Sequence, residues 1–456
     1  MTKTRKNIFR LSDLFLILGF IPMVVFLIFG PEFMQFPNPD DVALKMIWII
    51  PCFAFLVICW GIYIYLELEK GNCVHRAAIY IFIILMIIGM VGILTQSQNF
   101  SINTYDLVGN PITINTTLSD THIMFFTSDI IAILLFVYIS IFILPKRFSS
   151  VWPIKIFGYA IFFLCFTLTI HSYFIETAKY PAFFKALIEC DEAGIGSNST
   201  YSVILNQNSL GMVLLVGIIF CLINHSLSKH RWFYFPMAIY FHLNMIFTFC
   251  RTALAISIVL FFLYVYYVLI HTIKKNPSLN AFFLTFITLY LLGMTTMVLL
   301  SILSEGKYIP YFYNLYKIFA NDSSMKSREV IWNNTYQIIS QTLPMSLIFG
   351  RGFGTMNEMV LAMNGFKKYL FPTHNGYLNL LAEGGLIYLL SYLVLLGYIV
   401  SIIVKNYKTN PRAAVALTLG LSAFVIYSLN ETIHYFTYPF MFFILVYDNA
   451  KVKPNY

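Results

Sequence analysis

The sequence predicts an all-α, polytopic membrane protein of about twelve transmembrane helices, and three observations predict it. Of the 456 residues, 59% are apolar and only 11% charged, whereas an ordinary soluble domain carries about 25% charged residues. The apolar residues come in runs of roughly 20, the length a helix needs to cross the hydrocarbon core. Short polar breaks that hold most of the charge separate these runs, and no water-soluble fold hides so much apolar surface.

The spans are expected to begin near residues 11, 45, 77, 123, 156, 203, 232, 253, 281, 376, 413 and 436. The first run, 11–30, follows the basic residues Lys3, Arg5, Lys6 and Arg10, as a secretory signal would. It leads into Pro31, Glu32 and Phe33 and not into small residues of a cleavage site, so it reads as a retained span. Seven cysteines, at 52, 59, 73, 165, 190, 221 and 250, lie mostly inside apolar runs with no pairing pattern. They read as small core residues.

Charge sets the orientation. With the amino terminus cytoplasmic, eighteen of the 29 Lys and Arg fall in inward segments, and seven of the other eleven lie in one long outer segment, 304–375. Long loops weigh little in the positive-inside rule, so both termini are expected in the cytoplasm. The net charge of +9 then reflects anchors facing anionic lipid, and no nucleic-acid partner is implied. Two regions follow: residues 1–200, with about five spans and their outer loops, and residues 201–456, which include the loop 304–375. The outer segments 96–122 and 177–202, polar and rich in Asn, Ser and Thr, read as exposed loops. The long segment differs, with an amphipathic stretch around Val330 to Leu343 and the Gly-rich turn Gly350-Arg-Gly-Phe-Gly354. Loops of that length are functional or disordered, and this pattern argues for function.

Polar residues at or inside spans are costly, so their positions point to function. Here they gather on the outer side: Asn206 and Asn208 at the start of the sixth span, Asp129 inside the fourth, Arg251 and Thr252 in the short turn before the eighth. Arg328 and Arg351 belong to the long loop, and His374, Asn375, Asn379 and Glu383 mark the outer end of the tenth span. A single outward-opening cavity is the expectation. Asn375, Asn379 and Glu383 are four residues apart and share one helix face, which either bonds to neighbouring helices or lines that cavity. Asp129 reads best as a helix-packing residue, and Arg351 fits an exposed loop charge as well as a ligand contact. Arg251 has too short a turn to lie far from the helix ends, and with Arg328 it supplies two planar forks suited to phosphate or diphosphate oxygens. The long segment sets seven cations against Glu305, Asp322, Glu329 and Glu358, which also favours an anionic ligand. Metal-ligand spacings such as DxD or HExxH are absent from the outer loops, and so is the GxSxG of a serine hydrolase.

The ordered set Asn206-Gln-Asn208, Cys250-Arg251-Thr252-Ala253, Arg328-Glu-Val-Ile-Trp332, Gly350-Arg-Gly-Phe-Gly354, His374-Asn375-Gly-Tyr-Leu378 and Glu383-Gly-Gly385 resembles the O-antigen ligase and polymerase superfamily, which includes the Wzy-type polysaccharide polymerases. The resemblance covers about residues 200 to 400. It departs at Cys250, where Ser is common, and at Tyr388, near where a Gly is common. It implies a GT-C-like glycosyltransferase architecture with a large outer loop. It also implies metal-independent, inverting transfer of sugars from undecaprenyl diphosphate to an acceptor hydroxyl at the outer face of a bacterial cytoplasmic membrane, with no cofactor. Carried over, Arg251 and Arg328 grip the diphosphate and His374 stands beside the acceptor as general base. Asn375 and Glu383 then orient His374 or the acceptor, with Asn208, Thr252, Arg351 and Asn379 as further substrate contacts. A polymerase of lipid-linked repeat units is the favoured expectation, because the Phe, Tyr, Ile, Asn and Lys bias is common in low-GC bacteria, many of which lack a lipid A acceptor. A ligase that moves finished glycan to a lipid or wall acceptor, and a flippase of lipid-linked oligosaccharides, are the alternatives. A polysaccharide co-polymerase is the partner the resemblance implies.

Overall fold

The computed structural model describes residues 10–34, 42–71, 76–96, 99–105, 111–117, 131–174, 207–228, 233–246, 248, 250–272, 277–308, 313, 323–340, 344–352, 373–431 and 437–450. Asp129, Asn206, Cys73, Cys190, Gly354 and the loop 177–202 lie outside the described residues.

Helices stand where hydropathy places spans: α1 (Leu11–Met34), α2 (Val42–Glu69) and α3 (Arg76–Gln96). Between α3 and α4 (131–138), strands β1 (Asn99–Tyr105) and β2 (Pro111–Thr117) form an antiparallel hairpin in the register Ile102 opposite Ile114. This segment reads as a loop by polarity. Its alternating Phe100, Ile102, Thr104 and Ile112, Ile114, Thr116 instead satisfy the period and the β-branched preference of a strand. Past α4 the chain takes a π turn, Ile139–Ile143, and a 3-10 turn, Leu144–Arg147. Then come α5 (Trp152–Phe174), α6 (Gln207–Leu227), α7 (Tyr234–Ile246), α8 (Arg251–Thr272) and α9 (Pro277–Leu303). The long segment 304–375 contributes α10 (Ser323–Ser340) and the short α11 (Met345–Phe349), and α12 (Gly376–Tyr407), α13 (Pro411–Tyr427) and α14 (Thr437–Ala450) complete the order.

Among the described residues, five stretches are long and apolar enough to cross a membrane: Pro51–Glu69, Trp152–Ile170, Leu210–Leu227, Arg251–Val268 and Gly376–Tyr407. Their outward faces are apolar, with Ile58, Phe163 and Val394 among the exposed side chains. A surface of this kind is stable against hydrocarbon and not against water. The protein is therefore a helical, membrane-integral protein.

The chain folds as two compact units. The first comprises Met1–Ser149, Glu329–Gly397 and His434–Asn449, and the second Ser150–Arg328, Tyr398–Ile433 and Ala450–Tyr456. In the first, α1 packs on α2 so closely that a Cβ at Gly19 would overlap the Trp60 indole. Trp60 Nε1 donates to the Leu16 carbonyl at 3.3 Å. At one end of this pair, two nitrogens of Arg147 meet both carboxylate oxygens of Asp13. Ser12 Oγ donates to the buried Glu67 at 2.7 Å. In the second unit α6 is central, 83% of its span being buried among α5, α7, α8 and α13. Small residues allow that approach: Gly217 of α6 lies against Cys165 and Phe241, and Gly211 against Cys250.

Candidate functional site

In the first unit, the two glycine motifs singled out in the sequence interlock. The backbone of α12 leaves helical geometry at Gly385, with φ 68° and ψ −172°. A break there releases the carbonyls of Ala382 and Glu383 from the i to i+4 ladder. Arg351 N–H donates to Ala382 O at 2.7 Å and Gly352 N–H to Glu383 O at 2.9 Å, which re-satisfies both. The approach is so tight that a Cβ on Gly350 would overlap the Glu383 carbonyl, and one on Gly385 the Ile348 carbonyl. Both glycines also have positive φ, so two independent reasons require Gly at each. Tyr388, the position that departs from the superfamily pattern, fills the wall behind the break: its hydroxyl donates to the Leu85 carbonyl of α3, and its ring lies against Gly384.

This arrangement corrects the reading of Arg351 as an exposed loop charge. Its backbone is pinned into the helix break, and its side chain is 2% exposed. Burial lowers the guanidinium from its ordinary value, and an Arg still stays protonated far beyond neutral pH. Glu383 is buried as well, at 3% exposure.

Upstream of α12, His374 has φ 50°. A bulky side chain in that left-handed region costs of order 1–3 kcal/mol and persists only where the surroundings over-determine it. They do so on both sides. Before it, Trp332 Nε1 donates to the Thr373 carbonyl at 3.0 Å, and Thr373 Oγ1 shares its proton between the Asn375 carbonyl at 3.0 Å and Asn379 Oδ1 at 3.2 Å. After it, Asn375 Oδ1 accepts from the N–H of Tyr377 at 3.0 Å and of Leu378 at 2.9 Å. Asn375 is thus the N-cap of α12, and Asn379 braces Thr373. The two amides hold His374 half-buried in a strained conformation. Strain of this kind clusters at functional sites.

In the second unit, Arg251 and Thr252 are the first two residues of α8, both half-buried. Arg328 lies in α10 and is within Coulombic range of Arg251. Its Nη2 donates to Glu431 Oε1 at 3.0 Å, with the two side chains 20% and 11% exposed. Glu431 follows the end of α13, where its N–H donates to the Tyr427 carbonyl at 3.0 Å. The Tyr427 hydroxyl contacts Cys250 Sγ at 3.3 Å, so the second position that departs from the superfamily pattern makes a thiol–phenol contact beside Arg251. Asn208 lies in the first turn of α6.

No protein-family model matches the chain, and no curated protein matches it.

The superfamily resemblance therefore rests on the ordered motifs themselves. The structure brings Arg251 and Arg328 together in one unit, and His374, Asn375, Asn379, Glu383 and Arg351 in the other. Sequence reasoning missed Glu431 and Thr373. A signal for Glu431 was present, because it is an acidic residue in a short connection between two apolar spans, the criterion that singles out Arg251. Thr373 carries none, since its role depends on partners at 332 and 379.

Proposed function

We propose that the protein is a polysaccharide polymerase of the outer face of a bacterial cytoplasmic membrane, with about twelve spans and a GT-C-like architecture. It joins undecaprenyl-diphosphate-linked oligosaccharide repeat units by metal-independent, inverting glycosyl transfer. The observation that carries this reading is the pair of half-buried guanidinium groups, Arg251 and Arg328, in one compact unit.

In the reaction, the bond between the anomeric carbon and a diphosphate oxygen breaks while the acceptor oxygen bonds to that carbon from the opposite face. Negative charge grows on the departing diphosphate, and preorganised forks aimed at it supply the main stabilisation. The acceptor proton passes to the His374 imidazole, a contribution of roughly 100- to 10,000-fold in rate. The strained, doubly braced backbone of His374 supports that role, because it fixes the ring's origin before substrate arrives. Arg351 is a substrate contact in this reading, and Glu383 orients His374 or the acceptor. The donor carries its own driving force, so no nucleotide is consumed.

The break in α12 is a feature that transporters use to expose carbonyls to an ion. Here the released carbonyls of Ala382 and Glu383 are already bonded by the Gly350–Gly352 turn, so the break serves as an anchor.

The test is the purified protein with undecaprenyl-diphosphate-linked repeat units and a chelator. A ladder of lengthening carrier-linked product supports the polymerase. Single transfer of finished glycan to a different acceptor indicates the ligase, and no transfer sinks both. In cells, Arg251→Ala is expected to accumulate single repeat units on the carrier at the outer face. Accumulation at the cytoplasmic face points to a flippase.

A further inference from the structure

Two Arg–carboxylate pairs in this protein have different geometry. Arg147 meets Asp13 through two nitrogens and two oxygens, the fork-to-fork arrangement that exhausts one edge of the guanidinium. Arg328 meets Glu431 through Nη2 and Oε1 alone. Among the described residues it has no other hydrogen-bond partner. The pair keeps part of its surface exposed, at 20% and 11%. A guanidinium offers five donors in a rigid plane, so one contact fixes the plane while most of the fork stays available.

We infer that Glu431 is a positioning residue, which holds Arg328 by one terminal nitrogen so that the rest of its fork is presented to a diphosphate. This rests on the function proposed above, from which the diphosphate is taken. The carrier of Glu431 suits the task. The turn after α13 is tied to the helix through Tyr427 O, and Tyr427 in turn contacts Cys250, the residue before Arg251. One helix end therefore braces the segments that bear both arginines. The charge balance also fits. Arg251 and Arg328 repel each other within Coulombic range, Glu431 offsets one of the two charges, and the set remains net positive toward an anion.

Positioning leaves a kinetic signature that simple folding support does not. Loss of the Glu431 charge makes the locality more positive, so donor binding is not weakened electrostatically, but the fork loses its fixed plane. Glu431→Ala is expected to lower kcat about 10- to 100-fold with donor KM unchanged or lower. Glu431→Gln, which keeps an acceptor oxygen, loses less.

The deciding experiment is a double-mutant cycle on the purified full-length protein, with donor turnover and undecaprenyl diphosphate binding both measured. In an Arg328→Gln background, adding Glu431→Gln is expected to have no further effect on either readout. Additive losses, an unchanged kcat in Glu431→Ala, or a raised KM as its main effect overturns the inference. If Glu431→Ala does not fold, the Glu431→Gln cycle decides alone. Recovery of turnover by the charge swap Arg328→Glu with Glu431→Arg makes the pair a structural bridge and also overturns it. Failure of the wild-type protein to bind undecaprenyl diphosphate sinks the diphosphate reading itself. Binding together with an additive cycle sinks only the assignment of Glu431.

Discussion

The backbone N–H of Arg351 donates to the carbonyl of Ala382 at 2.7 Å, which seats a loop turn in the gap that Gly385 opens in α12. A helix interrupted in a membrane protein is stable only where protein re-satisfies the freed backbone groups. Here the turn at Gly350–Gly352 does so and is itself anchored by the same bonds.

That relationship makes Gly385 and Gly350 intolerant of any side chain. Gly385→Ala is expected to lose about 1–3 kcal/mol from its left-handed backbone alone, and more from overlap with the Ile348 carbonyl. Gly397→Ala, at a helical site with nothing within 4 Å of an added Cβ, is expected to be neutral or stabilising. Thermal unfolding in detergent measures both, and equal behaviour of the two variants contradicts the anchoring role.

His374 sets stability against activity. His374→Gly relieves the φ of 50° and is expected to raise the unfolding temperature, whereas His374→Ala keeps the backbone cost. Both are expected to lose transfer rate roughly 100- to 10,000-fold if the imidazole takes the acceptor proton. Parallel melting curves and product ladders read out the two effects separately.

Asn375 acts first on the helix. Removal of its cap in Asn375→Ala is expected to cost about 1 kcal/mol, while Asn375→Asp or Asn375→Ser, which keep an acceptor oxygen, retain most of it. A full loss of turnover in Asn375→Ser with unchanged melting would assign this side chain to the substrate and not to the cap.

Arg147 faces Asp13 and the buried Glu67 at once, the latter at 3.9 Å. Stripping a buried pair of one partner costs about 3–5 kcal/mol, and the 18% exposure of the Arg147 side chain reduces that figure through solvent screening. Arg147→Ala is expected to melt early, and Arg147→Ala with Asp13→Asn and Glu67→Gln to recover part of the loss because no uncompensated carboxylate remains. Equal melting of the single and triple variants would show that the cluster adds nothing to stability.

The sequence by itself determined the membrane class and the helix positions, because span length and hydropathy are properties of a local stretch. Among the described residues, helices stand near most of the expected starts, the one at 123 lying outside them, and the amphipathic stretch in the long loop became α10, with Ile331, Thr335 and Ile339 buried at a spacing of four. It also marked Arg251, Arg328, His374 and the two glycine motifs as residues out of place in an apolar chain. Tertiary structure decided how each of them is packed. Arg328 and Glu431 are 103 positions apart, and nothing local to either indicates the other. Arg351 is buried because its turn fills a break in another helix, and Asn375 caps because the helix begins one residue later. Pairing and burial depend on which surfaces meet, a property that only the packed chain has.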